Sequence, residues 1–596
     1  MKRRTALALS LALASPVAAQ DTRPYWQQGV DYRIEARLDE GADVLHGRAR
    51  LRYANRSPQA LDTLYFHQHL NAFRPNSAWA RREARFGELR FQNLGPEQHA
   101  YERFTSVRVN GREVRPVYPG APDSTVVALP LAQPLRSGDS LVVEMDWNAR
   151  LATVPRRQGR RGRHFDWAQW YPRISVFDRH GWDRQPLLPQ GEFYGEYGRF
   201  DVTLDLAADQ VVGATGVAVE GNPGYTPDAS ERAAYPARAT EPLGLLAGEA
   251  ASGRKRVRFR AEDVHHFGWS ADPAFIHEGV TRFSLQENGV RRDLPSIHVL
   301  YLPADTGWGG NVAARRTLDA LTWVQGMLGP YPYPQLTNLR RLDSGGTEFP
   351  MVVMNANASQ GLIVHEVTHQ WLHGILGNNE WREGWLDEGF TSFMTSWYAE
   401  AHGDTAAWLG TMRTLERLER TDSVQPLALP GAEYRSPRLY TAMTYAKGSA
   451  VMRMLRDLLG EETFRRVLHR YYQEYRFRHV TASDFQRVAE TVSGRDLDWF
   501  FAQWIQRTDR MDYGIASATT RRLGDGRWRT RVDVVRTGSA WMPVTVRVGD
   551  ATRRLEGRGR RQSVVLTTRA RPTQAVVDPK WILIDPDRGN NVKAIP

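Results

Sequence analysis

Between Tyr32 and Asp39 apolar and polar side chains alternate, with Tyr32, Ile34, Ala36 and Leu38 in one set and Arg33, Glu35, Arg37 and Asp39 in the other. A period of two puts one set against a core and the other in solvent, so the segment predicts a half-buried strand. Gly47–Tyr53 alternates in the same way, and Val202, Leu204 and Leu206 repeat the theme in Phe200–Leu206. Gly, Pro, Asn and Asp clusters punctuate these runs, which suits a large antiparallel sheet or sandwich over residues 20–272. From about 273 to 510 the period becomes helical. Gln360–Leu376 reads as a helix stopped by Gly377, Trp385–His402 as a second, and Lys447–Leu459 as a third closed by Gly460. Thr481 with Asp484 three residues later predicts the N-cap and first-turn acid of a fourth. Alternation returns over 511–596, where Trp528, Thr530, Val532 and Val534 share one face and Val544, Val546 and Val548 another. The expected fold is multidomain α+β: an N-terminal antiparallel β-domain (20–272), a mostly helical domain (273–510) and a small C-terminal β-sandwich (511–596).

Composition adds limits to that outline. A chain of 596 residues predicts two to four domains, and 41% hydrophobic with 10% aromatic residues is too apolar for a mainly disordered chain. Cysteine is absent, which excludes disulfides, thiolate metal sites and cysteine nucleophiles. The formal charge is +12, carried almost wholly by arginine, since only five of the 79 basic residues are lysine. Arg156, Arg157, Arg160, Arg161 and Arg163 form a basic run that reads as a solvated loop rather than an anionic-ligand site, because no aromatic stacking pattern interleaves it. No nucleic-acid partner is expected. Lys2, Arg3 and Arg4, the apolar run Ala6–Ala14 and the small residues Val17-Ala18-Ala19 predict a signal peptide over 1–19 and export to the periplasm or the extracellular space. That run is too short to span a bilayer and no later stretch approaches 18 apolar residues, so no membrane anchor is expected.

One segment concentrates the chemistry. In His365-Glu366-Val367-Thr368-His369 the two histidines sit at i and i+4, on one helical face, where both imidazoles reach a single metal ion. Glu366 lies slightly around the helix, placed to touch a water on the metal rather than the metal itself. After an 18-residue spacer comes Glu388, in Trp385-Leu386-Asp387-Glu388-Gly389-Phe390, early in the second predicted helix. Two packed helices bring that carboxylate opposite the histidines. Two nitrogens and one carboxylate oxygen are the His₂Glu set of catalytic zinc, with a fourth position left for water. His373 continues the row, but eight residues beyond His365 is about 12 Å along the axis, too far for a shared ion, and it reads as a residue that supports the ligands from behind or packs in the core. His265-His266 reads as structural, and Glu380 and Glu383 either orient ligands or solvate a loop.

The sequence HEVTHQW, followed by the Glu of WLDEGF, resembles the M1 family of zinc aminopeptidases, a gluzincin family that includes aminopeptidase N and leukotriene A4 hydrolase. Thr444-Tyr445-Ala446-Lys447-Gly448 is similar to the family's Tyr-x-Lys-Gly, whose tyrosine stabilises the oxyanion. Gly345-Gly346-Thr347-Glu348-Phe349 resembles its Gly-x-Met-Glu-Asn exopeptidase motif, with Thr in place of Met and Phe in place of Asn. The resemblance implies a thermolysin-like catalytic domain holding one Zn²⁺ per chain on His365, His369 and Glu388. It implies Glu366 as general base and acid, Tyr445 as oxyanion donor, and Glu348, Gly345 and Gly346 as substrate-binding residues that read the free N-terminus of a peptide. Gln169 is a possible counterpart of the polar residue that the family's N-terminal domain lends to the amine pocket. Three other functions compete with an exported aminopeptidase: a zinc endopeptidase on the same ligands, an epoxide hydrolase, and an inactive scaffold of the same fold.

Overall fold

The computed structural model describes residues 25–191, 193–236, 240–287 and 290–596; the predicted signal segment lies outside them. The alternation in the first region does build strands. Gly29–Asp39 buries Tyr32, Ile34, Ala36 and Leu38 and pairs antiparallel with Val44–Ala54 across eleven registered residues, from Gly29↔Ala54 to Asp39↔Val44. These strands lie in an eight-stranded sheet of order Val217–Glu220, Arg254–Val264, Gly198–Ala207, Gly29–Asp39, Val44–Ala54, Ser140–Arg150, Tyr101–Val109, Arg112–Glu113. One pairing departs from the antiparallel expectation: Gly29–Asp39 runs parallel to Gly198–Ala207. Alternation specifies which face a side chain takes, not which way the neighbouring strand runs.

The basic run is not one solvated loop. Arg157 is buried, Arg156 is half-buried, and Gly159–Arg161 forms a short strand, while Arg161 and Arg163 remain exposed. A distant carboxylate, Asp343, accepts the Arg157 backbone N–H at 3.0 Å and lies 3.6 Å from the Arg156 guanidinium. Asp343 is 186 residues further along the chain than Arg157, so no local reading could supply it.

The second region opens on a sheet that the helical period did not reveal. Its five strands lie in the order Ile276–Val280, Ser296–Tyr301, Gln335–Arg340, Val352–Asn355, Gly346–Phe349. The three central strands are parallel to one another, and the crossover helix Val312–Met327 packs against them. Strands covered on both faces read as short continuous apolar runs, which periodicity cannot separate from buried helix. Gly346–Phe349 closes one edge, antiparallel to Val352–Asn355.

Helices follow, with boundaries moved by tertiary contacts. The helix carrying His365 and His369 runs Gln360–His369 and stops well before Leu376. The Gln370 side chain leaves the helical path to accept from Met351 N (2.8 Å) and donate to Phe349 O (3.0 Å), and the chain reaches a left-handed backbone at His373 (φ 145°). Leu376–Asn378 is then a strand, not the end of a helix. The second predicted helix, Trp385–His402, is in two pieces, a π-helical turn at Trp385–Gly389 and Phe390–Ala401, and the short helix Glu380–Gly384 precedes it. The third is Gly448–Leu459, preceded by another π-helical turn at Ala442–Lys447. The helix Ala482–Ser493 begins with the Thr481–Asp484 capping box. The last region has two packed sheets, of three and four strands, whose inner faces carry Val532, Val534, Val544, Val546 and Val548. Among the described residues no helix is long and apolar enough to cross a membrane.

Candidate active site

Both histidines of the Gln360–His369 helix emerge on the face turned toward the Trp385–Gly389 turn. His365 Nε2 lies 3.1 Å from Glu388 Oε2, His369 Nε2 lies 3.3 Å from the same oxygen, and the two nitrogens are 3.2 Å apart. A tetrahedral ion with bonds of about 2.0–2.1 Å separates its ligand atoms by roughly 3.3 Å. The three atoms therefore form a triangle of the size zinc requires. The three side chains each offer a ligand atom close enough to the others to hold one ion.

The other side of each ligand is also fixed. His369 Nδ1 lies 2.6 Å from Asp387 Oδ1 and 3.2 Å from the Thr391 hydroxyl, which favours the proton on Nδ1 and leaves the Nε2 lone pair for a metal. Sequence reading missed both residues. Asp387 stood next to the proposed ligand, and a carboxylate adjoining a metal-binding Glu was the signal available. Glu388 uses its second oxygen, Oε1, to accept from the Tyr445 hydroxyl at 2.5 Å. Burial, together with the neighbouring Glu388 charge, pushes Tyr445 well above the ordinary phenol range, so the hydroxyl remains a donor.

Close backbone approach puts Glu388 and Tyr445 side by side. A Cβ on Gly389 would lie 2.6 Å from the Thr444 carbonyl oxygen, and one on Gly448 would lie 2.9 Å from Gly389 Cα. Larger residues at either position would force the two π-helical turns apart. Each turn presents one functional side chain, a common use of such irregular turns. Lys447 is buried beneath and paired with Glu419 at 2.9 Å, which anchors the tyrosine turn from behind.

Glu366 is buried beside the triangle, and its Oε2 has no hydrogen-bond partner. Burial first, and then the Glu348 charge, raise it well above the usual carboxylate range. Its carboxylate lies over Gly346, where an added Cβ would come within 2.1 Å of Glu366 Oε1 and Cδ. Gly345, just before, adopts φ +68° with open space around it. The two glycines expected to bind substrate thus have visible local duties: one makes room for Glu366 and the other turns the chain into the edge strand.

Glu348 lies on that strand, buried, with Oε1 unpartnered. Ligand atoms of His373 and Glu380 lie within 4.8 Å of its carboxylate. His373 Nδ1 contacts Glu380 Oε1, and Glu380 Oε2 accepts the Phe193 N–H at 2.7 Å. The sequence had left Glu380 open; here it supports the neighbourhood of Glu348 through His373. Glu383 faces elsewhere, accepting the Ala482 N–H at 3.2 Å. His265 and His266 pack against His373, at ring separations of 4.5 and 6.4 Å. Both departures from the familiar exopeptidase motif are used: Thr347 Oγ1 accepts from buried Arg341, and Phe349 stacks on Phe193 at 5.2 Å. Gln169 is buried with a left-handed backbone (φ 58°), its Oε1 against His69 Nδ1 at 3.1 Å and its Nε2 unpartnered.

A helix with two histidines, a glutamate from the following helical turn and a mixed sheet edged by the strand before them bring together three side chains that could hold a metal ion. Residues 351–504 match the peptidase family M1 domain. Aminopeptidase N of Lactococcus lactis is 27% identical over 168 residues, covering 26% of this chain and 19% of the relative. The match thus spans about a fifth of that relative's length. The M1 zinc metallopeptidase from Deinococcus radiodurans shares the fold with TM-score 0.54 at 17% identity, over 81% of this chain and 94% of that one. Legionella pneumophila aminopeptidase A, solved with aspartic acid, has TM-score 0.64 at 14% identity, over 96% of this chain and 60% of that one.

Proposed function

We propose that this chain is a zinc aminopeptidase, hydrolysing the first peptide bond of substrates with a free N-terminus. The observation that carries the reading is the triangle of His365, His369 and Glu388, with spacings of 3.1–3.3 Å, flanked by the Tyr445 hydroxyl and two buried carboxylates with unpartnered oxygens. One zinc ion per chain, held by those three side chains, would supply Lewis-acid polarisation and a nucleophilic water at neutral pH. The M1 relatives named as aminopeptidases support the same activity.

Each remaining step belongs to a side chain of this protein. Glu366 accepts a proton from water at Oε2 as the water oxygen bonds to the scissile carbonyl carbon, then delivers it to the departing nitrogen as the C–N bond breaks. Tyr445 donates a hydrogen bond to the carbonyl oxygen, a contact that strengthens as negative charge develops there. Glu348 pairs with the substrate's α-ammonium, which fixes the distance from the N-terminus to the bond that breaks. Export directed by residues 1–19, and the domain borders near 272 and 510, belong to the same reading; a mature chain beginning at Gln20 by mass spectrometry is the expected result for export.

The activity is tested with dye-labelled single amino acids beside N-acetylated peptides. Wild type should cleave the former and reject the latter, because acetylation removes the charge that Glu348 reads. Glu348→Ala should lose most activity on free N-termini with normal zinc content. Internal cleavage of blocked peptides, with Glu348→Ala as active as wild type, would make the enzyme an endopeptidase.

A further inference from the structure

The positive charge is not spread along the chain. Residues 511–596 carry 17 basic and eight acidic side chains, so +9 of the formal +12 lies in the two C-terminal sheets and their loops. Lys2, Arg3 and Arg4 hold the other +3, and residues 5–510 balance to zero. A general preference for arginine would not confine the imbalance to one region.

The three-stranded sheet shows where part of that charge goes. Its strands Tyr513–Arg522, Trp528–Arg536 and Arg561–Thr568 turn Val532, Val534, Val564 and Leu566 inward. The outward positions are in register across the sheet. Thr519, Arg531 and Val565 lie opposite one another, and so do Arg521, Arg529 and Thr567; all six are exposed. Arg561 is exposed at the far end of the same face. Arg521 and Arg529 stand directly across from each other, with Cβ atoms about 5 Å apart, where like charges destabilise a sheet. Arg531 pairs with Asp533 at 3.1 Å, but among the described residues no carboxylate pairs with Arg521, Arg529 or Arg561. A face shaped for solubility alone would mix the two signs. This one keeps an opposed cationic pair that an external anion would neutralise.

We propose that this sheet face docks on an anionic phospholipid surface, holding the chain against a membrane that it does not span. Each guanidinium presents a planar fork of N–H donors that matches a phosphate bidentately, and the Thr519 and Thr567 hydroxyls stand beside them. Val565, 47% exposed in the middle of the face, supplies an apolar contact for the boundary between headgroups and acyl chains. None of the exposed outward positions on these strands is aromatic, so the face offers no platform for stacked bases. The proposal is independent of the peptidase site.

The experiment sediments the full chain with vesicles of equimolar phosphatidylglycerol and phosphatidylcholine, and with vesicles of phosphatidylcholine alone. Binding should need the anionic lipid and fall steeply between about 0.1 and 1 M salt, as the screening length drops from about 10 Å to about 3 Å. One arginine near a charged bilayer strengthens binding about fivefold, so combining Arg521→Gln, Arg529→Gln and Arg561→Gln should weaken it about 10²-fold. The thermal midpoint of that triple variant should match or exceed wild type, because the opposed pair is relieved. A control combining Arg108→Gln, Arg112→Gln and Arg115→Gln, all exposed in the N-terminal region, removes the same charge elsewhere and should bind as wild type does. Equal losses in the two triple variants would assign the binding to net charge and overturn the face. Equal binding to neutral and anionic vesicles, or none to either, overturns the proposal. Tighter binding to a DNA duplex than to anionic vesicles at the same salt overturns the lipid partner in favour of nucleic acid. Folding is read from the thermal midpoint and not from activity, so failure of the peptidase reading leaves this test intact.

Discussion

Gly346→Ala adds one methyl group and needs no unusual backbone, yet it should disable the enzyme. The new Cβ would sit 2.1 Å from Glu366 Oε1 and Cδ and 2.4 Å from its Cγ. Ordinary carbon–oxygen contact needs more than 3 Å, so the carboxylate must retreat by about 1 Å. A displacement of that size at a reacting group costs on the order of 10²-fold in rate, or about 2.7 kcal/mol of barrier. The three atoms nearest the added Cβ all belong to Glu366, so bound metal should stay at the wild-type level. If Glu366 instead resists, the strain appears as overpacking, about 1–3 kcal/mol of stability. The assay therefore pairs kcat on an amino-acid dye with metal analysis and a thermal midpoint. Gly345→Ala is the control: its φ of +68° carries a backbone cost of about 1 kcal/mol, but nothing lies within 4 Å of the added atom. Gly346→Ala with kcat within threefold of wild type and an unaltered midpoint would show that Glu366 does not depend on the space above Gly346.

Three further outcomes are expected. Asp387→Asn should weaken zinc binding about 10–100-fold, measured by equilibrium dialysis against a chelator, because the carboxylate beside His369 Nδ1 is lost; an unchanged affinity would leave Asp387 without a role in holding the ligand. Tyr445→Phe should keep fold and metal while kcat falls about 10²- to 10³-fold with KM little changed, and an unaltered kcat would remove Tyr445 from the reaction. Stability should depend on His164: burial opposes its charge, but Asp166 and Asp272, at 2.9 and 3.0 Å, outweigh it and push the imidazole up to about 9. A raised folded-state value contributes stability that is complete below about pH 6.5 and lost as pH rises through about 9, at most on the order of 3 kcal/mol. Denaturant melts at pH 7 and pH 10 should show wild type losing more stability than His164→Gln, and equal losses would refute the assignment.

The meeting of His365, His369 and Glu388 was legible in the sequence because helix geometry is local. Two histidines four apart share a face wherever that helix lies, and a glutamate after a fixed spacer can reach them from the next helix. The strand faces of Gly29–Asp39 and Gly198–Ala207 were legible for the same reason, since a period of two sorts side chains whatever the neighbour. What tertiary structure decided is everything that depends on contacts between distant segments. Gln370 ends the Gln360–His369 helix early because its amide satisfies backbone groups at Phe349 and Met351. The parallel sheet of residues 296–355 escaped notice because burial on both faces erases alternation. The departure of Arg156 and Arg157 from a solvated loop is not legible locally, because Asp343, the carboxylate beside Arg156 and the acceptor of the Arg157 backbone N–H, lies far along the chain. Glu348 could be named as a carboxylate in a motif, but its burial beside His373 and Glu380 comes from the folding of strand, turn and helix upon one another. Spacing along one element is written in the sequence; the partner that neutralises or caps a buried group is chosen by the packing of elements that the sequence keeps far apart.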